Sequence, residues 1–203
     1  MLRKNILAFL PFLLFWLSWS AHAQSINNLF HQPGDPVAGN PRGNVTVVEF
    51  FDYQCSHCIT MAPVMAAIIK ANPNVRVVFK DFPIRGPVSE FAARAALAAN
   101  KQGKYYSFSH ALLTANQPLT QESVLDMAKA EGLNVSKLKK DMNSSSVKNQ
   151  LKANYNLALA LKLSGTPAFF IGKTNASGNS DIRFVLGAMS QSELQDAIDN
   201  ASK

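Results

Sequence analysis

The chain has 203 residues, of which 47% are hydrophobic and 16% charged, with two cysteines and a formal net charge of +7. That apolar content excludes a disordered chain and two cysteines are too few for a disulfide-stapled miniprotein, so a packed core is expected. The basic residues are scattered singly rather than gathered into a block, which argues against nucleic acid as a partner and reads as a solvated surface.

Arg3 and Lys4 precede an apolar run from Ile6 to Trp19, and Ala21-His22-Ala23 puts small residues at both positions of a cleavage site before Gln24. This is the layout of a secretory signal peptide over residues 1–23. The rival is an uncleaved membrane anchor, which needs ~20 apolar residues to cross hydrocarbon. The run is shorter than that and is interrupted by Pro11. No cysteine lies in the segment, so a lipid anchor at the cleavage site is excluded. Cleavage leaves 180 residues with a net charge of +5, the length of one domain, and removes both tryptophans, Trp16 and Trp19. The expected product is a soluble exported protein.

Residues 24–44 carry three prolines and three glycines and read as an extended N-terminal arm. The domain is expected over 45–203. Val45 to Phe51 is β-branched and aromatic nearly throughout, as suits a central strand covered on both faces. Ile59 to Ile69 has apolar residues at helical spacing, and Asn74 to Phe79 is a second strand, which gives a parallel βαβ unit. Between about 87 and 163 the pattern is helical, with Ser89, Thr120 and Ser146 as caps and Gly103, Gly132 and Gly165 as stops. Val147, Leu151, Tyr155, Ala158 and Leu159 are expected on one buried face of the last of these helices. Strands at Ala168–Ile171 and Ile182–Leu186 form a hairpin, and Ser190-Gln191-Ser192-Glu193 is a capping box for a final helix to Ala201.

Cys55-Ser56-His57-Cys58 lies where the first strand meets its helix, and a C-x-x-C pair there reads as a thioredoxin-like redox pair. At a helix N-terminus, unpaired N–H groups and the dipole favour a thiolate, which makes Cys55 the solvent-facing nucleophile. Cys58, one turn further in, is the resolving thiol. His57 stabilises the Cys55 thiolate through its cation or its N–H. Each pKa unit by which Cys55 lies below ambient pH favours the dithiol by about 1.4 kcal/mol, or about 30 mV. The dithiol is then the stable form, and the protein gives disulfides away. A zinc site would need about four ligands, and the chain offers no second paired spacing. A structural disulfide from i to i+3 closes almost no loop.

With its Glu49-Phe50-Phe51 strand, Cys-x-His-Cys motif, helical insertion, Gly165-Thr166-Pro167 and final hairpin and helix, the sequence resembles the DsbA-like family of periplasmic thiol-disulfide oxidoreductases. The resemblance implies an α/β thioredoxin-like fold, a central mixed sheet flanked by helices, with the helical insertion between the second and third core strands. It implies a dithiol oxidase that needs no cofactor or metal, acts on exported cysteine-containing polypeptides and is reoxidised by a DsbB-like membrane partner linked to quinones. It also implies that Thr166-Pro167 is a cis-proline loop against the cysteines that pairs with substrate backbone; the plainer reading is an edge-strand proline. Glu49, costly in a buried strand unless paired or protonated, lies in the family beneath the cysteines and assists proton transfer; Lys80 reads equally as its partner or as a solvated strand-end charge.

Ser56-His57 departs from the commoner Cys-Pro-His-Cys, and Thr166 stands where many oxidases of the family carry Val. Relatives with Thr there isomerise or reduce disulfides, so an isomerase or reductase is the alternative. A third reading is a secreted chaperone using an apolar surface at Phe82, Pro83 and Ile84.

Overall fold

The computed structural model describes residues 27–203, and the expected signal peptide, 1–23, lies outside the described residues. Strands β1 (Val37–Gly39), β2 (Val45–Phe51), β3 (Val75–Asp81), β4 (Ala168–Lys173) and β5 (Ile182–Leu186) form one sheet in the order β1-β3-β2-β4-β5. β2 and β3 are parallel, from Val45 opposite Val75 to Phe51 opposite Asp81, and the other neighbours are antiparallel. The parallel pair is joined by α1 (Ser56–Ala71), which completes the expected βαβ unit. Helices α2 (Pro87–Asn100), α3 (Tyr105–Leu113), α4 (Gln121–Ala130), α5 (Val135–Met142) and α6 (Ser145–Ala160) fill the insertion, and α7 (Gln191–Ser202) follows β5.

Every residue of β2 is buried, because both faces of the strand are covered. Alternation sends Val45, Val47 and Phe51 into a cluster with Met61, Met65 and Ile68 of α1. It sends Val48 and Phe50 into a second cluster with Leu29, Phe30, Leu157 and Ala158. Glu49 therefore shares the α1 face with Val47 and Phe51. Lys80, next to Phe79 in β3, takes the opposite face.

Thr120 caps α4, and Ser190 and Glu193 form the capping box of α7, as the sequence implies. Other boundaries differ. Helix α2 starts at Pro87 rather than at Ser89, whose buried hydroxyl donates to Asp52 Oδ1 at 2.7 Å instead of capping. Helix α6 is capped by Ser144 rather than Ser146, and it ends at Ala160, ahead of Gly165, with Lys162 taking the left-handed conformation at φ 55°. Its buried residues are Val147, Asn154, Leu157 and Ala158, while Tyr155 and Leu159 are 47% and 55% exposed. The expected apolar face is thus split between core and surface.

The segment read as an extended arm is built into the fold. Residues 27–30 are helical, Leu29 and Phe30 are buried, and β1 adds to the sheet edge with Val37 opposite Val78. Three strand residues among prolines and glycines are too few to show a period of two.

Candidate active site

Residues 52–55 form the turn from β2 into α1 and deliver the cysteines to the C-terminal end of the parallel strands. Cys55 is the N-cap residue of α1, with φ −82° and ψ 117°, and its carbonyl accepts from Ile59 N at 2.9 Å. No side chain caps this helix end, so the first-turn N–H groups are left for the Cys55 sulfur.

Both cysteines are free thiols with no exposed surface. This corrects the expectation of a solvent-facing Cys55. Its Sγ instead donates to the Thr166 carbonyl oxygen at 3.2 Å, which sets the loop before β4 against the sulfur.

Burial opposes ionisation of Cys55. Hydrogen bonding from Thr166, from the backbone N–H and thiol of Cys58 and from the backbone N–H of His57 outweighs it, so the thiol is held below its ordinary value. Cys58 goes the other way: burial pushes its thiol far up, and the charges of Glu49 and Cys55 add to the rise. The Asp52 N–H, which reaches Cys58 Sγ at 3.5 Å, opposes that rise without cancelling it. The pair is chemically asymmetric, with an ionisable sulfur at the helix end and a proton-retaining one inside.

The Thr166-Pro167 peptide bond is cis, Pro167 is buried, and its carbonyl accepts from Gly187 N at 2.8 Å. The loop is therefore more than an edge-strand proline. Among the described residues, Thr166 Oγ1 is a buried side-chain oxygen with no hydrogen-bond partner. A Cys55 thiolate is a far stronger acceptor than the neutral thiol, so the Thr166 hydroxyl favours the ionised sulfur.

Glu49 is 3% exposed, and burial alone raises its carboxyl to about 8. Its charge acts on Cys58 and on Tyr106. Lys80 is not its partner: on the other sheet face, Lys80 Nζ pairs with Asp35 at 2.5 Å and donates to Asn28 O at 2.9 Å. His57 is exposed, and what bears on Cys55 is its backbone N–H rather than its imidazole.

Sequence reasoning missed Asp52. Fully buried, its carboxylate accepts from Gln54 N at 2.7 Å, Ile84 N at 2.7 Å, Arg85 N at 2.9 Å and Ser89 Oγ at 2.7 Å. It ties the redox turn to the loop before α2, and no spacing in the sequence announces partners that come from a distant loop. Tyr53 and Tyr105 likewise donate to Asp81 at 3.0 and 2.8 Å, fixing the turn to α3, and burial lifts Asp81 to about 7. Of the apolar surface expected at 82–84, Phe82 is buried and only Ile84 is well exposed, at 44%.

Residues 46–199 match the DSBA-like thioredoxin domain family. The structure is similar to that of a thioredoxin-like oxidoreductase from Silicibacter pomeroyi, with 41% identity and a TM-score of 0.79, covering 87% of this chain and 96% of that one. It is also similar to the thiol-disulfide exchange protein alpha-DsbA2 from Wolbachia pipientis, with 27% identity and a TM-score of 0.78, covering 91% and 95% of the two chains. A curated relative, Na(+)/H(+) antiporter NhaA 3 from Salinispora tropica, is 26% identical over 157 residues, 76% of this chain and 24% of that protein. The chain spans about a quarter to a third of the length of the first such relatives.

Proposed function

The chain belongs to the DsbA-like family of thiol-disulfide oxidoreductases, and we propose that within it the protein is a dithiol oxidase that introduces disulfides into exported polypeptides. The observation that carries this reading is the opposite displacement of the two thiols, Cys55 down and Cys58 up. A stabilised Cys55 thiolate favours the dithiol state, so the oxidised protein releases free energy when it is reduced.

In the forward reaction a substrate thiolate attacks Cys55 of the oxidised protein, forming a mixed disulfide and expelling Cys58 as a thiolate that takes up a proton. A second substrate thiolate then attacks the substrate sulfur, and Cys55 leaves as a thiolate. Two electrons pass from substrate to protein, and a DsbB-like, quinone-linked membrane partner removes them. Glu49, raised to about 8, is the proton donor and acceptor for Cys58. Thr166 and Pro167 bind the substrate backbone, and His57 supports the Cys55 thiolate through its backbone N–H. The location is the periplasm, reached through cleavage after Ala23; among the described residues no helix is long and apolar enough to cross a membrane.

The test is the equilibrium reduction potential against glutathione. A value above about −180 mV supports an oxidase, and one near −270 mV, the range of a cytosolic reductant, overturns it. Thr166 stands where many oxidases of the family carry Val, and that identity favours the isomerase or reductase reading, which an intermediate potential together with reshuffling of a scrambled substrate would establish. Cys58→Ser should accumulate mixed disulfides with exported proteins on non-reducing gels and Cys55→Ser should not; adducts in Cys55→Ser alone would reverse the two roles. A chaperone would keep its activity when both cysteines are replaced by Ser.

A further inference from the structure

A groove of about 460 Å³ runs between α2 and α6. Pro83, Leu151 and Tyr155 give it an apolar lining, and Arg94, Lys148 and Lys152 line it with cations. Glu90 is the acid among its lining residues. On α6, positions 148, 152, 155 and 159 share one stripe beside the face that carries Val147, Asn154, Leu157 and Ala158 into the core, and Leu151, packed in part against the core, lies at the boundary between the two. Tyr155 and Leu159 are thus large apolar side chains left at the surface, and Ile84, beside Pro83, extends the strip.

The cations are unmatched. Lys148 and Lys152 make no ion pair among the described residues. The Arg94 guanidinium is held by the Met142 carbonyl at 3.1 Å and by Asn143 Oδ1, neutral acceptors that fix its position and leave its charge uncompensated. The groove is also coupled to the redox turn. Pro83 opens the loop whose next two N–H groups bind Asp52, and Gln54 Nε2 donates to Arg85 O at 3.2 Å and to Ser89 Oγ at 3.0 Å.

We propose that this groove is a docking site for the substrate polypeptide, taking a segment near the reacting cysteine that carries acidic residues beside an aromatic or large aliphatic one. The apolar side chain lies against Leu151 and Tyr155, and the carboxylates meet Lys148, Lys152 and the fixed Arg94. Charge complementarity selects this occupant, since a basic segment would meet three cations against a single Glu90. The proposal rests on the thiol-exchange function above and adds to it a preference among substrates.

The experiment compares two dithiol peptides that differ only in flanking residues, one with Asp, Glu and Phe and one with Lys in place of the acids, as substrates of the oxidised full-length mature protein. The wild type should oxidise the acidic peptide with a kcat/KM about tenfold higher, with a preference that shrinks as salt is added. Lys148→Glu/Lys152→Glu should abolish or invert the preference, and the milder Lys148→Gln/Lys152→Gln should reduce it, while exchange with glutathione stays unchanged. Equal rates for the two peptides, or a preference that survives both double variants, would overturn the proposal. Loss of glutathione exchange in the wild type would instead overturn the function. In that event, acidic-peptide binding to Cys55→Ser/Cys58→Ser still decides on the groove.

Discussion

Thr166 presents two oxygens to the redox pair with opposite effects on Cys55: its carbonyl accepts the thiol hydrogen at 3.2 Å, while its buried hydroxyl, which makes no other hydrogen bond, lowers the Cys55 thiol and also acts on Cys58. One residue therefore holds the neutral state in place and stabilises the charged one.

Thr166→Val keeps the carbonyl and removes the hydroxyl. A hydrogen bond to a charged group contributes about 1.5–3 kcal/mol, so the Cys55 titration should rise by about one to two units and the potential should fall. The pH dependence of thiolate absorbance measures this. An unchanged midpoint would mean that the N–H groups of His57 and Cys58 alone set the ionisation.

Glu49 makes stability depend on pH in a stated direction. Its carboxyl goes from an ordinary 4.5 to about 8 in the fold, so its contribution is fully present below about 4.5 and is lost as pH rises through about 8. Glu49→Gln should be more stable than wild type at pH 8 and nearly equal at pH 4. Asp35 and Asp81, raised to about 6 and about 7, titrate in the same window, so the readout is the difference between the two denaturation profiles. The same variant should slow the release of Cys58 as a leaving group at neutral pH, seen in single-turnover oxidation of a peptide.

Lys80 and Asp35 form an ion pair with 0% and 2% of their side chains exposed. Lys80→Met strands a buried carboxylate and should cost about 3–5 kcal/mol, whereas Lys80→Met/Asp35→Asn should recover most of that loss. Urea denaturation followed by circular dichroism measures both, since residues 24–203 contain no tryptophan. A double variant as unstable as the single one would show that the cost lies in packing rather than charge.

Asp52→Ala removes an acceptor shared by four donors and leaves the Ile84 and Arg85 N–H groups unpaired. A loss of about 2–4 kcal/mol is expected, with faster amide exchange at Ile84 and Arg85. If exchange speeds up equally throughout the chain, Asp52 supports the whole fold rather than the redox turn.

The βαβ unit and its cysteines were legible because their signals are local: a run of seven strand residues, a helix with apolar spacing, and a pair at their junction. The capping boxes were legible for the same reason. Other features depend on partners far along the chain. Ser89 looks like a cap until Asp52 claims its hydroxyl, and Lys80 looks like a partner for Glu49 until the pleat sends the two side chains to opposite faces. The apolar residues of α6 follow helical spacing, but spacing cannot tell a face turned to the core from one left at the surface. Glu49 itself was found through its burial cost and the family resemblance together.

The concealment of Cys55 separates how readily its sulfur ionises from how readily anything reaches it. A thiolate open to solvent reacts indiscriminately with peroxides and alkylating agents, because each needs only one collision. Here the lowered pKa makes the sulfur chemically eager, while zero exposed surface denies it casual encounters. Reaction then depends on a visitor that can take the place of the Thr166 carbonyl and settle beside it. Selectivity of this kind comes from admission rather than affinity.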